Sequence, residues 1–155
     1  MLHGIVEGIY IAHLKGESTL LIEQAHLVPG KGIVGDRYFS QQGMPPDQAR
    51  EGRQVTLMEM EAVESMLLED GIQISPAQTR RNVFTRGIAL NDLVGKSFYV
   101  GPVQLFGVRL CEPCQYLAER TDPRVITSMS HRGGLRAEIL SEGIIHIDDS
   151  ITAIT

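Results

Sequence analysis

The feature that most limits what this chain can fold into is a series of short β-type runs, each cut off by glycine, proline or a polar turn. Residues 4–13 contain Ile5, Val6, Ile9, Tyr10 and Ile11, and residues 20–28 run into the turn cluster Pro29-Gly30-Lys31-Gly32. Residues 53–58 and 79–87 read as further runs, the second holding Arg80 and Asn82 on one face and Arg81 on the other. Ser97–Val100 and Val103–Leu110 flank Gly101-Pro102. Residues 135–140, 144–147 and 151–154 follow, with turns at Ser141-Glu142-Gly143 and Asp148-Asp149. About eight to ten short strands at such spacing predict a barrel or sandwich. One helix stands out at residues 59–70, with Met60, Val63, Met66 and Leu67 on one face and Gly71 as its stop. No strand–helix alternation is visible, so a doubly wound sheet is not expected. The expectation is a mainly β fold with a few helices, as a single domain over residues 1–155.

At 155 residues the chain can bury a sizeable core. No apolar run nears the roughly 20 residues of a membrane span, and no signal peptide is legible at the N-terminus. Two cysteines close together in sequence make no secreted disulfide framework, so a cytoplasmic protein is expected. The net charge of -5 excludes a general nucleic-acid footprint. The cations are nevertheless mostly arginine, including Arg37, Arg80, Arg81, Arg132 and Arg136 close to glycines. Arginine recognises phosphate and carboxylate in a bidentate way. The expected ligand is therefore a small anion, not a nucleic acid or a membrane.

Both cysteines lie in Leu-Cys-Glu-Pro-Cys-Gln-Tyr-Leu, residues 110–117. An apolar run leads in, and Pro113 stands where a helix can begin. Cys114 then falls in the first turn, where free N–H groups and the helix dipole favour thiolate and can bring a cysteine pKa to roughly 3.5–7.5. Thiolate attacks electrophiles and binds soft metals. Cys111, at the end of the apolar run, has the plain alternative of a small buried hydrophobe, beside a role as redox partner of Cys114. A Cys-x-x-Cys redox pair belongs near a βαβ unit, and His131 and His146 lack the spacing of a zinc site.

Three other stretches carry polar groups in compact form. Gly35-Asp36-Arg37 sets two charges on a bend, with a solvated turn as the plain alternative. Arg80-Arg81-Asn82 offers donors for an anion, and His131-Arg132-Gly133-Gly134 is a loop able to bring backbone N–H groups to one. Residues 40–53, rich in glycine and proline, read as a flap.

Taken in order, Gly35-Asp36-Arg37, Arg53-Gln54-Val55-Thr56-Leu57, Arg80-Arg81-Asn82, Pro113-Cys114 and His131-Arg132-Gly133-Gly134 resemble the MOSC domain, the C-terminal module of molybdenum cofactor sulfurase. The resemblance spans residues 5–154. It implies a fold built around a β-barrel and a ligand, the molybdenum cofactor, whose pterin dithiolene carries a phosphate. By the same resemblance, Cys114 is either the protein ligand to molybdenum or a sulfur-carrying residue. Asp36, Arg37, Arg80, Arg81, Asn82, His131, Arg132, Gly133 and Gly134 are its cofactor-binding positions. Family members that hold the cofactor reduce N-hydroxylated compounds with an electron-donor protein, whereas a carrier works with a sulfur donor. The sequence shows neither the N-terminal β-barrel domain of the amidoxime reducers nor an aminotransferase-like sulfurase domain. If these motifs form one site, they converge on one pocket, with the helix after Pro113 aimed into it and Asp36 steadying a neighbouring arginine.

Overall fold

The computed structural model describes residues 3–14, 16–39 and 54–154; the expected flap lies outside the described residues. The chain runs β1 (His3–Ile11), β2 (Leu20–Ile22), β3 (Gln24–Val28), β4 (Gly32–Ile33), β5 (Val55–Glu59), α1 (Met60–Asp70), α2 (Pro76–Thr79) and β6 (Val83–Arg86). A 3-10 turn at Leu90–Leu93 follows, then β7 (Ser97–Val100), β8 (Val103–Leu110), α3 (Gln115–Arg120) and α4 (Val125–Ser128). The chain ends with β9 (Leu135–Ile139), β10 (Gly143–His146) and β11 (Ser150–Ala153).

Seven strands close a barrel in the order β11-β7-β8-β9-β5-β6-β1, and β11 pairs back to β1. Closure leaves no open edge in the ring, which removes the usual hazard of unpaired strand groups. β2 extends the sheet beyond β1, and β10-β3-β4 form a second, three-stranded sheet. The expected mainly β, barrel-based fold is what the chain adopts.

Strand alternation divides the apolar side chains between two cores. Leu57 and Val83 face the barrel interior with Phe98, Leu105, Leu135 and Ile151. Ala25, Leu27, Ile33 and Ile145 of the small sheet join that same core. The next residues along β5 and β6, Met58 and Phe84, face outward and meet Met66, Ile72, Leu117, Val125 and Met129. The helices are thus held against one flank of the barrel by a second core.

Several local expectations change. β5 and β6 pair in parallel, with α1 and α2 between them. One crossover is therefore present where none was expected, because the short α2 hides in a polar stretch. Ser75 caps α2 in a reciprocal capping box with Gln78, and Pro76 starts it. Arg80 is the residue after α2 and has φ 64. The 79–82 segment is thus a helix exit, not a strand, and its side chains do not alternate. The run at 20–28 breaks into β2 and β3, which pair with β1 and β10 respectively. No described helix is long and apolar enough to cross a membrane.

Candidate functional site

A cavity of about 370 Å³ opens where the loop after β4, the start of β5, the α2–β6 junction and the β8–α3 turn meet. Its wall carries four arginines, Arg37, Arg80, Arg81 and Arg136, one carboxylate, Glu112, and both cysteines. Thr56, Thr79, Tyr38, Tyr116 and Leu117 complete it.

The cysteine turn is shaped by a buried arginine. Arg81 is only 7% exposed. Its Nε donates to the Gly133 carbonyl at 2.8 Å, its Nη1 to Thr79 at 3.1 Å, and its Nη2 to Cys111 at 2.9 Å and Glu112 at 3.4 Å. A buried charge is tolerated when its donors are satisfied, and here backbone carbonyls do that. The guanidinium thereby ties the α2–β6 junction to both the cysteine turn and the 131–134 loop. The same turn is fixed from the other side by the Cys111 N–H, which donates to the Gly134 carbonyl at 2.7 Å.

The two glycines of that loop serve close packing instead of an anion nest. A Cβ on Gly133 would collide with the Cys111 carbonyl oxygen, and one on Gly134, at φ 117, with the Leu57 carbonyl oxygen of β5. His131 is exposed and turns toward Glu112: its N–H donates to Oε1 at 2.7 Å, and its Nδ1 lies 3.2 Å from Oε2. Arg132 leaves the site altogether. Its Nη1 pairs with Glu69 at 3.1 Å and its Nη2 with Asp70 at 3.2 Å, at the far end of α1, while its Nε donates to the Ser128 carbonyl. The expected convergence of Arg132 on the pocket does not occur, because these carboxylates claim it.

Asn82 also takes a scaffold role. Its Oδ1 accepts from the Thr56 N–H at 3.1 Å and the Thr56 hydroxyl at 3.2 Å, and its Nδ2 donates to the Tyr10 carbonyl at 3.0 Å. It joins β1, β5 and the entry to β6 and does not line the cavity. Asp36 is 1% exposed; its Oδ1 accepts from the Ala12 N–H at 3.0 Å and lies 3.5 Å from Arg37 Nη1, while Oδ2 has no partner. It fixes the bend and lies against Arg37, the neighbouring arginine, but does not itself line the cavity. Arg37 also stacks on Tyr38, 4.4 Å from the ring centroid.

Cys114 is exposed and Cys111 is buried, and both thiols are free. Cys114 is the residue before α3, which begins two residues later than a start at Pro113, and its carbonyl accepts from the Ala118 N–H. Its thiol makes no hydrogen bond among the described residues. Arg80 donates to the Glu17 carbonyl at 2.5 Å. Burial lowers its pKa, and the nearby charge of Arg37 acts in the same direction. Cations that destabilise one another in this way create a place that an anion stabilises. Among the described residues no group of three or more His, Cys, Asp or Glu could hold a metal ion. A metal in this cavity would have to arrive with most of its own ligands.

Among the wall residues that the sequence did not mark as site positions are Arg136 and Thr56. Arg136 lies near glycines, but nothing local tells that β9 turns it into the cavity. Thr56 lies within a quoted motif, and only the pairing of β5 with β6 reveals which face it takes.

Comparison with known families matches the MOSC domain over residues 39–152. The chain belongs to the MOSC domain family. Among solved structures, the MOSC chain is similar to the YuaD protein from Bacillus subtilis, with a TM-score of 0.82 at 20% identity, covering 97% of this chain and 95% of that one. It is also similar to YiiM from Escherichia coli, with a TM-score of 0.70 at 16% identity, covering 100% of this chain and 71% of that one. YiiM from Geobacillus stearothermophilus gives a TM-score of 0.67 at 13% identity, with 100% and 75% covered. At these identities the likeness is one of fold. No curated protein sequence gave a significant match.

Proposed function

We propose that this MOSC protein binds the molybdenum cofactor in the arginine-walled cavity and acts as an oxidoreductase on N-hydroxylated compounds, with Cys114 as the protein ligand to molybdenum. One observation carries the reading: a single exposed, unpartnered thiol shares a cavity with four guanidinium groups and one carboxylate. Thiolate is a soft donor suited to molybdenum, and guanidinium is the group of choice for a terminal phosphate. The donor set therefore fits an anionic cofactor that brings its own metal. When bound, the cofactor supplies a metal centre that changes oxidation state by a pair of electrons.

The residues divide the work. Arg37, Arg80 and Arg136 hold the anionic end, with Asp36 steadying Arg37. Arg81 keeps the cysteine turn in shape through its carbonyl bonds and adds positive potential behind it. Cys114, whose thiol makes no hydrogen bond among the described residues, would present its sulfur to the metal. Reduction of an N–OH group to N–H breaks the N–O bond, releases water and consumes two electrons, which a donor protein must bring, and two protons, which come from solvent. The reading places this chemistry in the cytoplasm, where both thiols stay reduced.

A second reading uses the same thiol: Cys114 accepts sulfur as a persulfide and passes it on. Its exposure and lack of partners favour this over a Cys111–Cys114 redox pair, since Cys111 is buried.

The test is to purify the protein from cells that make the cofactor and measure molybdenum and pterin per chain, with reduction of a hydroxylamine or amidoxime as the activity. Near-stoichiometric molybdenum and pterin, with reductase activity lost in Cys114→Ser, is the expected result. Absence of both, with a persulfide on Cys114 in the mass spectrum, would replace the first reading by the second.

A further inference from the structure

The arginine-walled cavity has a neighbour. Arg80 lines it on one side and a second cavity of about 240 Å³ on the other. Arg120, Gly16, Ser18 and Gln78 help form that second wall, and no carboxylate lines it among the described residues. The two guanidinium groups flank the same ring, with Arg80 6.0 Å and Arg120 4.4 Å from the Tyr116 centroid. Both reach the same loop: Arg80 donates to the Glu17 carbonyl and Arg120 to the Gly16 carbonyl at 3.5 Å. Neither forms an ion pair among the described residues. In a chain of net charge -5, Arg80 and Arg120, free of ion pairs among the described residues and next along the wall from the Asp36-paired Arg37, make a local concentration of positive potential.

We propose that the two cavities form one continuous anion site, with Arg80 as the shared wall, and that the ligand's anionic end carries two adjoining phosphoryl groups instead of one. The first group sits with Arg37, Arg80 and Arg136, and the second with Arg80 and Arg120. Tyr116 packs against both Arg80 and Arg120. The inference rests on the reading of the first cavity as an anion site and adds the length of what it takes.

Isothermal titration at fixed low ionic strength, with inorganic phosphate and pyrophosphate as probes, tests it. Wild-type protein is expected to bind pyrophosphate about tenfold more tightly than phosphate, the worth of one added charge-assisted contact. Arg120→Gln should remove that advantage, and Arg37→Gln should weaken both probes while keeping their ratio. Arg120 is exposed, and unchanged melting of its variant serves as the folding control. If Arg120→Gln keeps the wild-type ratio while Arg37→Gln weakens both probes, the second subsite is wrong and the first cavity stands. If wild-type protein binds neither probe, both readings fall.

Discussion

Arg80 shows how a single residue can be kept at a cost to the backbone. It holds φ 64 at the end of α2, a left-handed conformation that costs an L-residue with a Cβ about 1 kcal/mol and that glycine adopts freely. Such strain is concentrated at functional sites. Arg80→Gly and Arg80→Ala both delete the guanidinium, so both should lose phosphate affinity to the same degree. The glycine variant should nonetheless be more stable than the alanine variant by about 1 kcal/mol in urea unfolding. Glu59 gives a pH test away from the cavity. Burial raises its pKa above the ordinary 4.5, with Glu61 and Asp92 adding to the rise and the N–H of Leu90 opposing it. A raised carboxylate pKa means that the folded state holds the proton more tightly than the unfolded chain. Its contribution is therefore fully favourable below pH 4.5 and is lost as pH climbs through the folded value. Glu59→Gln should accordingly flatten the decline in stability above pH 4.5, which melting curves across that range would show.

Elements were legible where burial is one-sided. Val103–Leu110 forms the strand expected, with its buried positions falling on alternate residues up to Gly107. The helix of residues 59–70 starts one residue later than expected and stops at Gly71, which is left-handed with φ 66. What escaped the sequence was set by partners far along the chain. Arg132 is taken by Glu69 and Asp70, more than sixty residues earlier, and Asn82 by Thr56 and Tyr10. A donor-rich motif looks the same in sequence whether its donors meet a ligand or backbone carbonyls. The parallel β5–β6 pair escaped because α2 is a four-residue turn within a polar stretch. Arg81 links these elements, and its replacement should loosen the cysteine turn specifically. Lysine carries one ammonium in place of a planar fork and cannot satisfy carbonyls at Thr79, Cys111 and Gly133 together. Arg81→Lys should cost about 2 kcal/mol of stability. It should also speed hydrogen exchange at the Cys111 N–H more than at the β7–β8 pair.

For the whole molecule, the closed barrel supplies rigidity and the second core fixes the helices to one flank, so the cavity forms where loops and helix ends meet at their junction. This division lets an acidic chain keep a strongly cationic hollow. Anion affinity should therefore fall as ionic strength rises, most steeply for the pyrophosphate probe. The central claim is that Cys114 is the one protein donor to a molybdenum centre held in that hollow. X-ray absorption at the molybdenum edge reads this directly, by comparing sulfur scatterers around the metal in protein purified from cofactor-producing cells with those in Cys114→Ser. One sulfur fewer is expected in the variant, with Cys111→Ser unchanged from wild type. An identical sulfur shell in wild type and Cys114→Ser would contradict it.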